Sequence, residues 1–140
     1  MRIFCALLCL SASVWAASDD NRSLGDRTRQ YLADLVRIDT SNPPGNETQV
    51  AQYLKQSVEA FGISGELVGG DPKRLNFVAR LHGDGKGRPL LLIAHSDVAA
   101  IAPAERPQWT VNPFGGELRN GFIYGRGTLD AKSLWRRKWP

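Results

Sequence analysis

Cysteine is almost missing from this sequence: the two that occur, Cys5 and Cys9, both fall within the first ten of 140 residues. From about Ala17 onward there is no thiol for a disulfide, a nucleophile or a metal ligand. A metal site in that part must be built from His, Asp and Glu. Histidine is scarce as well, with only His82 and His95. Long apolar runs are lacking: the clearest, residues 3–14, falls short of the roughly 20 residues a membrane-spanning helix needs. There is no basic stripe with interleaved aromatics. The formal net charge is +4, but Arg136, Arg137 and Lys138 crowd near the end and the other basic residues are scattered. That pattern excludes a nucleic-acid footprint. Internal repeats and low-complexity segments are absent too.

What is present has ordinary globular proportions, with 42% hydrophobic and 23% charged residues, enough for one small domain with a core. Residues 1–16 read as a signal peptide. Met1-Arg2 supplies a short positive start, residues 3–14 are apolar, and Val14 and Ala16 place small residues at −3 and −1 of a cleavage site. The expected location is therefore secreted or periplasmic, with no membrane association after cleavage.

Ser23 can cap a helix, with Asp26 at the favourable dipole end. Leu24, Thr28, Tyr31, Leu32, Leu35 and Val36 follow at helical spacing. Asn42-Pro43-Pro44-Gly45 must break that helix. Asn46 can cap a second helix with Val50, Tyr53, Leu54, Val58 and Phe61 on one face, and Gly62 suits its end. Strands are expected over residues 63–68 and 76–82, with a turn at residues 83–87. The continuous apolar run of residues 90–94 predicts a strand buried on both faces. Asn120-Gly121 between residues 117–119 and 122–124 is a strong hairpin signal. Two helices followed by a buried strand imply an α/β sheet covered by helices.

His95 directly follows the apolar run, and Asp97 comes two residues later. Open α/β sheets place ligands just beyond the carboxyl ends of such strands. An imidazole there can bind zinc through one nitrogen while a carboxylate fixes the other. A His-x-Asp alone is more often a loop hydrogen bond. Gly125-Arg126-Gly127-Thr128-Leu129-Asp130 supplies a flexible bend ending in a carboxylate able to bridge two cations. Taken singly, Asp130 reads as a cap on a helix from Ala131, Arg126 as a salt-bridge residue, and His82 as structural.

Together, LLLIAHSDV and QWTVNPFGGELRNGFIYGRGTLDAKS resemble the di-zinc hydrolase family that includes acetylornithine deacetylase, succinyl-diaminopimelate desuccinylase, carboxypeptidase G, aminoacylase and carnosinase. The likeness runs from about Leu24 to Ser133, and Arg37-Ile38-Asp39-Thr40-Ser41 with Asn42-Pro43-Pro44-Gly45 joins it. It implies an α/β fold: the N-terminal part of a zinc-exopeptidase-like catalytic domain with a mixed sheet flanked by helices, spanning residues 17–133. His95 resembles the histidine ligand of one zinc. Asp97 resembles the catalytic-site carboxylate that steadies it, and Asp130 the aspartate bridging both zincs. The family implies two Zn2+ ions, for which Co2+ can substitute, a metal-activated water as nucleophile, and a small peptide or N-acyl amino acid as substrate. Intact relatives are often dimeric.

The sequence departs from that pattern in two places. Ala99-Ala100-Ile101-Ala102-Pro103 replaces a more usual Val-Val-Pro. The family's Glu-Glu pair, later acid, final histidine and inserted second domain do not occur in the 140 residues. Residues 134–140, with two of the four tryptophans, change character where a small-residue helix is expected, and a frameshift or premature stop near Ser133 is the expected cause. Little or no activity is expected of this truncated chain. The alternative is a non-catalytic secreted fragment or binding module. A nucleotide-binding domain is excluded because Gly83-Asp84-Gly85-Lys86-Gly87 leads into an apolar run rather than a helix.

Overall fold

A computed structural model describes residues 23–136. The expected signal peptide with its expected cleavage site, and residues 137–140 of the tail, lie outside the described residues. No helix among the described residues is long and apolar enough to cross a membrane.

Helix α1 (Leu24–Arg37) starts where the capping residues place it. The Ser23 Oγ accepts from the Asp26 amide at 3.1 Å, satisfying a donor that the first turn leaves open. Its inner stripe buries Leu32, Ala33, Leu35 and Val36. After it, β1 (Ser41–Asn42) leads through the two prolines to α2 (Glu47–Glu59), which buries Val50, Ala51, Leu54 and Val58. Asn46 precedes α2 without a side-chain cap, because its amide turns back toward the Asp39 carbonyl at 3.5 Å. Phe61 lies beyond the helix end and is exposed, so it does not join the apolar face as its spacing suggests.

Strands β2 (Gly65–Val68) and β3 (Asn76–Ala79) pair antiparallel, Leu67 opposite Phe77. They lie against α2, and the core is Leu35, Val50 and Leu54, with Ile38, Tyr53 and Phe77 packed around it. Each such buried side chain contributes about 1.5–3 kcal/mol. Strand β4 (Val98–Ala99) pairs in parallel with β1, in the register Ser41 to Val98 and Asn42 to Ala99. After a 3-10 turn at Arg106–Gln108 come β5 (Glu117–Arg119) and β6 (Phe122–Tyr124), then the short α3 (Lys132–Arg136). The hairpin turn has positive φ at both Asn120 and Gly121, as a two-residue turn matching strand twist requires.

Two expectations are corrected here. Among the described residues there is no single mixed sheet but three separate two-stranded ones. Residues 90–94 do not form a buried strand; Leu90, Leu91 and Ile93 are 81%, 82% and 77% exposed. A doubly buried strand needs sheet neighbours and covered faces, and residues 90–94 lie in none of the three sheets. The composition of the run is right for such a strand, but its surroundings do not supply one. The mixture of helices and strands remains of the α/β kind.

Candidate metal centre

The segment following α1 clamps the loop that carries His95. Thr40 is fully buried, and its Oγ1 donates to the Ser96 carbonyl at 2.6 Å. The Val98 amide donates to the Thr40 carbonyl at 3.1 Å. With the β1–β4 register, these bonds fix the backbone on both sides of Asp97. The Asn42 Nδ2 then donates to Asp97 Oδ2 at 3.0 Å. The other oxygen, Oδ1, and the Asp97 carbonyl both lie 3.1 Å from His95 Nδ1. A proton on Nδ1 serves both acceptors and sets the tautomer.

Asp130 arrives from the opposite side on the Gly-Arg-Gly bend. A Cβ at Gly125 would run into Val36 Cγ1 and lie 2.8 Å from the Pro113 carbonyl oxygen. Gly127 has φ +83°, and a Cβ there would lie 2.6 Å from Val98 Cγ1. Both glycines therefore let the bend press onto α1 and β4, and this brings Asp130 Oδ1 to 3.1 Å from His95 Nε2. The Asp130 side chain is 92% exposed, while Ala131 and Lys132 behind it are buried. Helix α3 starts at Lys132, and the Asp130–Ala131 peptide is cis.

The electrostatics follow from this arrangement. Partial burial disfavours the His95 cation, but Asp130 and then Asp97 outweigh it, so the His95 pKa is raised. The Asp97 pKa is lowered, first by the Asn42 hydrogen bond, against a smaller effect of burial, and also by His95. With Nδ1 protonated toward Asp97, the Nε2 lone pair and a carboxylate oxygen face each other. Two acceptors at that separation repel unless a cation, either a proton or a metal ion, lies between them.

The donor separation also fits zinc. Ligands about 2.0–2.2 Å from one ion and 3.1 Å apart subtend about 95°, within reach of a distorted tetrahedron. Asp97 faces the far side of the ring, so Nε2 and the Asp130 carboxylate are the donors on the open side. Among the described residues, no group of three or more His, Cys, Asp or Glu side chains is placed to hold an ion.

Arg126 takes no part in the centre. Its guanidinium stacks over Trp109 at 5.2 Å and its Nη2 lies 3.8 Å from Glu105, matching the salt-bridge reading of the sequence. His82 sits on the exposed stretch after β3, apart from the cluster. Sequence reasoning missed Asn42 and Lys132. Asn42 reads as the start of a helix break and as part of the family-like Asn42-Pro43-Pro44-Gly45 segment, without a task at the centre, and Lys132, two residues after Asp130, is given no task either. The Lys132 ammonium is buried and donates to the Leu35 and Ile38 carbonyls at 2.8 and 2.6 Å. Burial pushes its pKa down to about 8, against the pull of Asp39.

No family model matches the chain. Among curated proteins it is similar to the probable succinyl-diaminopimelate desuccinylase of Staphylococcus aureus (strain MRSA252), 36% identical over 104 residues, covering 74% of this chain and 24% of that protein. The protein of the same name from Staphylococcus epidermidis (strain ATCC 12228 / FDA PCI 1200) gives the same figures. Succinyl-diaminopimelate desuccinylase 2 of Ruegeria sp. (strain TM1040) is 36% identical over 106 residues, covering 74% of this chain and 25% of that protein. The chain thus spans about a quarter of the length of the curated relatives it matches. By those names the relatives are desuccinylases. The chain belongs to the family that includes succinyl-diaminopimelate desuccinylase.

Proposed function

We propose that this chain carries part of the two-zinc centre of a hydrolase that cleaves an amide or peptide bond, of the deacylase or exopeptidase type. The observation that supports it is the 3.1 Å approach of His95 Nε2 to Asp130 Oδ1 with the far ring nitrogen held by Asp97. In this reading His95 ligates one zinc, Asp130 bridges two, and Asp97 holds the imidazole in the tautomer that turns the Nε2 lone pair toward Asp130. Zinc, when bound, supplies Lewis-acid chemistry: it lowers the pKa of water and polarises a carbonyl. The substrate class is a small peptide or N-acyl amino acid, in keeping with the acylated amino acid in the relatives' names. The reading includes export by the N-terminal segment.

Among the described residues, no third His, Cys, Asp or Glu side chain joins His95 and Asp130 to hold an ion. The chain as written is therefore expected to bind zinc weakly and to hydrolyse N-acyl amino acids and dipeptides negligibly. That donor count favours a second reading, a non-catalytic secreted fragment. Zinc titration by calorimetry on the chain, on His95→Ala and on Asp130→Ala separates the two. Binding that both substitutions weaken at least tenfold supports the metal centre. Equal binding by all three proteins contradicts it. Chelator-sensitive hydrolysis by the purified chain would overturn the expectation of inactivity.

A further inference from the structure

A buried lysine that forms no close ion pair among the described residues is expensive, and a methionine would fill the same space without desolvating a charge. Lys132 is nevertheless fully buried. Its ammonium donates to the Leu35 and Ile38 carbonyls, 2.8 and 2.6 Å away, at the C-terminal end of α1. Those are carbonyls that a helix end leaves short of partners, and the dipole there favours a cation. The lysine stem reaches them by passing beside Gly127: a Cβ at Gly127 would lie 3.3 and 3.5 Å from its Cδ and Cε. The Lys132 amide also closes the bend by donating to the Gly127 carbonyl at 2.9 Å.

The two halves of the candidate centre thus hang from one short stretch of chain. Thr40 and Asn42 hold the loop of His95 and Asp97. Leu35 and Ile38 hold the bend of Asp130 through Lys132. Asp130 needs such an anchor, because its own side chain is 92% exposed and the ring it meets belongs to another segment. We propose that Lys132 is a positioning residue: by bolting the Gly-Arg-Gly bend to the end of α1, it sets the Asp130 carboxylate against His95 Nε2. Its use in a metal centre rests on the function proposed above; the placement itself does not.

The test needs no metal. The chain has two histidines, so a 15N-labelled sample gives two imidazole patterns in long-range proton–nitrogen correlation spectra, with His82 as internal reference. Asp130→Asn defines the signature of His95 without its carboxylate. Lys132→Met, with helical circular dichroism retained, is expected to move the His95 Nε2 signal most of the way to that signature and to leave His82 in place. A folded Lys132→Met protein with unmoved His95 signals overturns the proposal. Should Lys132→Met lose its helical signal, Lys132→Gln, a shorter neutral side chain unable to reach both carbonyls, is read against the same two outcomes. Failure of the wild-type chain to bind zinc would overturn the metal centre and leave this placement standing. An unmoved His95 signal would do the reverse.

Discussion

At the scale of single residues, the account turns on a ring held from both sides. Asp97 engages Nδ1 of His95, and Asn42 engages Asp97, so the order of support runs from amide to carboxylate to imidazole. Replacing Asp97 by Asn leaves the shape but weakens the hold on the tautomer. Zinc affinity measured by calorimetry is expected to fall about 10–100-fold. Unchanged affinity would show that the tautomer is set elsewhere. A second residue-scale expectation lies away from the centre. The Tyr53 hydroxyl donates to Asp34 Oδ2 at 3.0 Å, and burial, then Asp34, raise its pKa above the ordinary 10.0. The folded state thus holds this proton more tightly than the unfolded chain. The resulting stability is fully present below pH 10 and declines as the pH rises past that value. Tyr53→Phe should cost about 1–2 kcal/mol at neutral pH, and its difference from wild type in urea melts should shrink above pH 10. A constant difference would contradict the assignment.

At the scale of elements, what was legible in the sequence is what local chemistry specifies. Ser23 with Asp26 marks the start of α1, and the spacing through Leu32, Leu35 and Val36 marks its buried side. Asn120-Gly121 declares the β5–β6 turn by its tolerance of positive φ. The His-x-Asp and the glycine bend were readable as candidate chemistry through family likeness. That they meet at 3.1 Å is a fact of packing. The β1–β4 contact was not legible, because two residues pairing across more than fifty intervening ones leave no periodic trace. Lys132 escaped for a similar reason: its partners are main-chain carbonyls, which carry no sequence signature. The close approach of the bend gives an element-scale expectation. Gly127→Ala introduces a Cβ 2.6 Å from Val98 Cγ1 at positive φ. It should destabilise the fold by about 2–4 kcal/mol, combining overpacking with backbone strain. A thermal midpoint unchanged from wild type would refute that close packing.

At the scale of the whole molecule, the exposed run from Leu90 to Ile93 sets the behaviour in solution. A contiguous exposed apolar segment outside any sheet is a surface for association with another chain. The run resembles a core strand because its residues suit one, and it stands exposed because a sheet is a property of neighbours. The chain is therefore expected to self-associate with rising concentration in light scattering. Leu91→Lys should reduce that association while leaving circular dichroism unchanged. A strictly monomeric wild-type chain at high concentration would contradict this.

The claim beneath all three scales is that a cation belongs between His95 Nε2 and the Asp130 carboxylate. Zinc-soaked crystals, measured on both sides of the zinc absorption edge, locate it directly. The account predicts an anomalous peak about 2.0–2.2 Å from both atoms. A peak confined to His82 or to surface carboxylates, with the His95 and Asp130 side chains bare, would contradict it.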